Sequence, residues 1–207
     1  MNILYKLQNI QKNFLIIGSA SFTLLSSLPS LLSLLFYNSK NLTNLSFFNV
    51  SISFFMFSFH VHEKTILLPL LPVVLCMKDL NHVIPVFTLV SSFSLFPLLQ
   101  RENQVFTYYG LTIFYYFLSK YLAEKQSQTK AKSTVFLLFL IEMFDFLLIV
   151  VYHICEQYIP PPTRFPWLYP MLNATLSFLN FLFFYLYSNV LMLMKLSQKI
   201  NKKVKQN

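Results

Sequence analysis

The stretch MLNATLSFLNFLFFYLYSNVLMLM, residues 171–194, runs for 24 residues without a charged side chain. At 1.5 Å per residue a helix of that length rises about 36 Å, enough to cross a hydrocarbon core of about 30 Å. Only a segment that satisfies its own backbone hydrogen bonds is stable there, so the run reads as a transmembrane helix.

Working outward from it, six further apolar runs are bounded by charges or turn residues: 14–37, 45–59, 65–77, 83–99, 105–122 and 134–155. The second and third are short, and the third carries Pro69 and Pro72, which predicts a broken helix or a re-entrant segment in place of a plain crossing. The expected fold is an all-α polytopic membrane protein of about seven transmembrane helices, with residues 1–207 forming a single helical domain. Composition agrees. Of 207 residues, 56% are hydrophobic and only 11% charged, where a soluble domain carries about 25% charge.

The same composition narrows function. A surplus of 16 Lys and Arg over 7 Asp and Glu is read in so hydrophobic a chain as a topology signal, and no basic stripe interleaved with aromatics predicts nucleic-acid binding. With 2 Gly there is no material for a phosphate-cradling loop or a dinucleotide fold. Cys76 and Cys155 lie inside apolar runs without paired spacing and read as small buried hydrophobes. The first apolar run is too long for the core of a cleavable signal peptide. With seven crossings, eleven Lys fall on the side of the C-terminal tail and five cations on the other: Lys6, Lys12, Lys64, Arg101 and Arg164. Cations are kept cytoplasmic, so the tail faces the cytosol and residues 60–64 face the lumen. Lys203 and Lys205 in KVKQN then sit as in a cytosolic retrieval signal, or are simply a solvated basic end. None of the sequons at Asn41, Asn44, Asn49 and Asn173 falls in a convincing luminal loop.

Between the second and third runs stands HVHEK, residues 60–64. Polar groups at the mouth of a membrane bundle point to function. Three readings are open on the residues alone: a headgroup-level loop with Lys64 snorkelling, a metal site using His60, His62 and Glu63, or recognition of an anionic lipid headgroup by Lys64 and a histidine with Glu63 orienting one of them. The spacing is not that of a helix-borne zinc motif. Inside the sixth run Glu142 and Asp145 lie one helical turn apart, costly in lipid unless they face another helix or a water-filled groove.

The wording FSFHVHEKTIL, residues 57–67, closely resembles the F-x-F-x-V-H-E-K-x-I-L signature of the dolichyl-phosphate-glucose glucosyltransferases of the endoplasmic reticulum. PPPTRFPWLYPML, residues 160–172, resembles the luminal loop before that family's final helix, with Trp167 where the family usually has aspartate. LSFLNFLFFYLYSNVLML, residues 176–193, resembles its last span. The resemblance implies a multi-pass endoplasmic-reticulum enzyme of the GT-C type. Its donor is dolichyl-phosphate-glucose and its acceptor a dolichyl-diphosphate oligosaccharide; glucose moves with inversion in α-1,3 linkage, and no cofactor or metal takes part. The last two matches favour the enzyme that adds the first glucose over the sister that adds the second. By carry-over, His62 is the catalytic residue that hydrogen-bonds or protonates the departing phosphate. His60, Glu63, Lys64 and Arg164 bind the donor phosphate. The family's base is an aspartate in an early luminal loop, and none of Glu63, Asp79, Glu102, Glu124, Glu142, Asp145 and Glu156 matches it. The chain is therefore expected to be the C-terminal, donor-binding half of a longer bundle. A catalytically silent membrane scaffold is the alternative; a transporter would require a repeat that the sequence lacks.

Overall fold

The computed structural model describes residues 2–36, 40–59, 61–75, 80, 83–126 and 132–204, and among these there is no strand. In chain order the elements are α1 (Asn2–Phe36), α2 (Lys40–Phe57), a short 3-10 turn (Glu63–Ile66), α3 (Leu67–Leu75), α4 (Ile84–Ser94), α5 (Phe96–Arg101), α6 (Val105–Gln126), α7 (Lys132–Tyr158) and α8 (Leu168–Val204). Cys76, Asp79, Lys205 and His60 lie outside the described residues, and with Lys205 the second lysine of the KVKQN motif.

Each apolar run is helical over most of its described residues, with Ser58, Phe59, Val83 and Leu95 at bends or turns. Among them, Lys12–Phe36, Ile84–Arg101 and Leu168–Asn201 are long and apolar enough to cross a membrane. Helices α6 and α7, at 22 and 27 residues, have the length but carry Lys120, Glu142 and Asp145. In the third run a 3-10 turn leads into α3, which continues as helix through Pro69 and Pro72 to Leu75, so no break at the prolines is present among the described residues.

The chain divides into two compact units, Met1–Pro72 with Tyr185–Asn207, and Val73–Phe184. The first shows an inverted pattern of polarity. On α1 the residues Thr23, Ser27, Ser30 and Ser33 recur every three or four positions and are buried, Ser30 at 0% exposure. Phe22 and Leu25, on the other side, are 66% and 65% exposed. A water-soluble helix does the reverse. Small hydroxyl side chains facing inward and large apolar ones facing outward are the arrangement of a helix in lipid, where close packing and interhelical hydrogen bonds hold the bundle. Here the Ser33 hydroxyl meets that of Ser46 on α2 at 3.2 Å. Asn49 of α2 bonds Asn189 of α8 at 3.4 Å and accepts from the Ser188 hydroxyl. The fully buried Met192 sulfur lies 3.5–3.6 Å from the polar atoms of Ser30, Ser33, Ser46 and Asn49. Asn49 is thus an interior group, which agrees with its rejection as a glycan site.

The second unit is held by an aromatic core of Leu89, Phe93, Phe96, Tyr108, Ile149, Tyr152 and Tyr169. Phe93 packs edge-on to Tyr152 at 5.0 Å between centroids. The break between α4 and α5 has a local cause. Pro97 has no N–H, so the carbonyl of Phe93 loses its i+4 donor and accepts instead from a backbone N–H of the helix cap. The Asn173 side chain of α8 donates to that carbonyl at 2.8 Å and is itself buried. The fourth sequon asparagine therefore adds a side-chain donor at the proline break.

Candidate functional site

The carried-over residues begin at the turn after α2. His62 is in extended conformation (φ −76°, ψ 147°) at the N-terminus of the 3-10 turn, and its carbonyl accepts from the Thr65 N–H at 2.9 Å. Ile66, fully buried, anchors the turn from below. That anchoring leaves His62, Glu63 and Lys64 with exposed side chains on successive positions. An ammonium and an imidazole offered from one short, pinned turn can donate to an anion such as a phosphate, and a carboxylate between them can orient either donor.

Arg164 belongs to the second unit, in the segment between α7 and α8. Pro160, Pro161 and Pro162 follow Ile159 and have no N–H, so α7 cannot continue and its last carbonyls need donors from elsewhere. Tyr169 reaches this end. Its one hydroxyl proton is shared between the carbonyls of Ile159 at 2.6 Å and Cys155 at 2.9 Å, the second of which also keeps the Ile159 N–H at 2.8 Å, while the Tyr152 hydroxyl donates back to the Tyr169 carbonyl at 3.1 Å. Both ends of the proline segment are thereby fixed. Between them Arg164 stands exposed, with its guanidinium 5.8 Å from the centre of the Phe165 ring. His62, Glu63 and Lys64 are brought together by one turn; Arg164 is presented by a separate, equally pinned loop.

The second unit also holds chemistry that the sequence reading left aside. Lys120 was counted among loop cations, but it lies within α6, and its ammonium donates to the Glu142 carboxylate of α7 at 3.0 Å. The Tyr116 hydroxyl donates to the same carboxylate. Glu142 thus finds its partners on the adjacent helix. Asp145 accepts from the Asn180 side chain of α8 at 3.1 Å, and its other oxygen is buried without a hydrogen-bond partner among the described residues. Farther along α7, His153 Nε2 meets the Tyr108 hydroxyl at 3.0 Å, while Nδ1 is buried and has no partner among the described residues. The available signal was the spacing of Tyr116 and Lys120, four residues apart and hence on one face of α6, opposite an acidic residue on the next helix.

Two cavities flank this row. One of about 560 Å³ opens between α6 and α7, with apolar walls such as Phe117, Phe146 and Ile149, Lys120 at one end and Tyr109 with His153 at the other. The second, of about 310 Å³, shares Tyr109 and His153 and is otherwise lined by Gln100, Glu156, Gln157, Phe96, Val105 and Phe106.

Comparison with known proteins assigns the chain. The profile of the ALG6, ALG8 glycosyltransferase family matches residues 5–187. A protein of Schizosaccharomyces pombe named as a probable dolichyl pyrophosphate Man9GlcNAc2 alpha-1,3-glucosyltransferase is 34% identical over 193 residues, covering 91% of this chain and 37% of its own. The Drosophila melanogaster protein of the same name is 32% identical, with 92% and 39% covered. The Gallus gallus dolichyl pyrophosphate Man9GlcNAc2 alpha-1,3-glucosyltransferase is 33% identical, with 89% and 40% covered. The chain spans about two fifths of the length of these relatives. It belongs to the ALG6, ALG8 glycosyltransferase family.

Proposed function

We propose that this chain works in the transfer of glucose from dolichyl-phosphate-glucose to Man9GlcNAc2-diphosphate-dolichol, the first α-1,3 glucosylation of the lipid-linked oligosaccharide, in the endoplasmic reticulum membrane. The observation that carries the reading is the agreement of the relatives' names on the Man9GlcNAc2 acceptor over about nine tenths of this chain.

In this reading an acceptor hydroxyl attacks the anomeric carbon, the bond from that carbon to the phosphate oxygen breaks, and the hydroxyl proton passes to a base. Negative charge grows on the departing phosphate, and fixed donors placed where charge develops lower the barrier. Lys64 stabilises that charge. His62 hydrogen-bonds or protonates the leaving oxygen, and Glu63 orients one of the two. The exposed, pinned turn that presents all three supports these roles. Arg164 supplies a second cation toward the donor phosphate or the oligosaccharide. His60 is proposed as a further phosphate contact by the resemblance alone.

Inactivating the gene in its source cell and profiling the lipid-linked oligosaccharides tests the reaction. Accumulation of Man9GlcNAc2 with loss of all glucosylated forms is expected. Accumulation of the monoglucosylated form would assign the second glucose instead, and an unchanged profile would fit a silent scaffold.

A further inference from the structure

We propose that the two adjoining cavities of the second unit together take a neutral glycolipid, with its sugar head among Gln100, Glu156 and Gln157 and its hydrocarbon chain between α6 and α7. The division of polarity carries this. Gln100 closes α5, and Glu156 and Gln157 stand on the last turn of α7, so two carboxamides and a carboxylate converge on a cavity of about 310 Å³, near the lower end of ligand pockets at about 300–1,000 Å³. Gln100 and Glu156 stand in the wall of the same cavity. Carboxamides both donate and accept while a carboxylate accepts, and neighbouring sugar hydroxyls require that mixture. Phe96 and Phe106 add apolar ring faces, against which the C–H face of a pyranose packs.

Charge selects the class of head. Among the described residues no lysine or arginine lines this cavity and one carboxylate does, so a phosphate would meet like charge without a paired cation there. A neutral sugar meets only donors and acceptors.

The tail follows from continuity. Tyr109 and His153 wall both cavities, and the bond from the Tyr108 hydroxyl to His153 Nε2 fixes the imidazole there. Beyond them the larger cavity runs along α6 from Tyr109 to Lys120, about 16 Å at 1.5 Å per residue, with apolar walls suited to a hydrocarbon chain. A ligand filling both is amphipathic. Glucosyl transfer is not assumed, and the His62 turn plays no part in this site.

The test is photolabelling of the purified protein in lipid nanodiscs with an octyl β-glucoside whose alkyl chain carries a diazirine, beside the same chain as a free alcohol. The glucoside is expected to label residues 109–120 or 143–153 more strongly than the alcohol. A Gln100→Leu, Gln157→Leu double variant, and separately Glu156→Gln, should lower glucoside labelling about tenfold, as loss of buried hydrogen bonds does, while alcohol labelling stays unchanged. Equal labelling by both probes, glucoside labelling that ignores the variants, or labelling elsewhere would overturn the proposal. No turnover is needed, so this result and the oligosaccharide profile succeed or fail separately.

Discussion

Asn173 shows how one residue is fixed by another far along the chain. Its side chain reaches 80 positions back to the Phe93 carbonyl, which has a backbone N–H from the helix cap but no i+4 donor, because Pro97 cannot supply one. Asn173→Leu should therefore cost about 1 kcal/mol, the net worth of one hydrogen bond to a carbonyl that keeps its cap N–H, seen as a lower thermal midpoint in detergent. In a Pro97→Ala background, where a backbone N–H is restored, the same substitution should cost less. An equal cost in both backgrounds would show that Asn173 acts by packing alone. The sequence flagged Asn173 only as a glycan acceptor to be set aside, since its partner is visible only once the two helices are packed. His62, Glu63 and Lys64 were legible because their spacing is local and their wording matches a known signature. The pinning of Arg164 by Tyr169 was not, because a tyrosine at the start of a helix announces no particular carbonyl.

At the scale of elements, the α6–α7 pair is organised by one ion pair. Glu142 is 10% exposed at its side chain and Lys120 35%. Burying a carboxylate is costly unless charge and hydrogen bonds offset it, and Lys120 and Tyr116 provide both. Lys120→Met should destabilise the protein by about 3 kcal/mol, the low end for breaking a buried pair, because Lys120 keeps part of its hydration. Adding Glu142→Leu should recover most of that loss in the same thermal assay, since the stranded charge is gone. If the double variant is as unstable as the single one, the pair is not what joins these helices. Periodicity exposed the helices themselves and placed Glu142 and Asp145 one turn apart. It did not show the partner of Glu142, because Lys120 sits at the end of an apolar run where a cation reads equally well as a loop residue.

For the molecule as a whole, the apolar runs decided the class of fold, and the structure added the sense in which each helix faces. The stripe of Thr23, Ser27, Ser30 and Ser33 turned inward against Ser46 and Met192 is the feature that identifies lipid as the surrounding solvent. Hydropathy alone reads such a helix as weakly amphipathic and gives no direction. Pro69 and Pro72 predicted a break, yet α3 runs as helix through both; the division into two compact units was not legible, because α8 runs without interruption through both. On that frame the exposed His62–Lys64 turn carries the central claim, that this chain grips the donor phosphate during glucosyl transfer. The measurement that tests it most directly is transfer of labelled glucose from dolichyl-phosphate-glucose in microsomes whose own gene carries Lys64→Ala. Loss of one fixed donor to a developing phosphate charge should lower the rate about a hundredfold, with the protein present at its normal level. An unchanged rate at that level would contradict the assignment and take Lys64 out of the reaction.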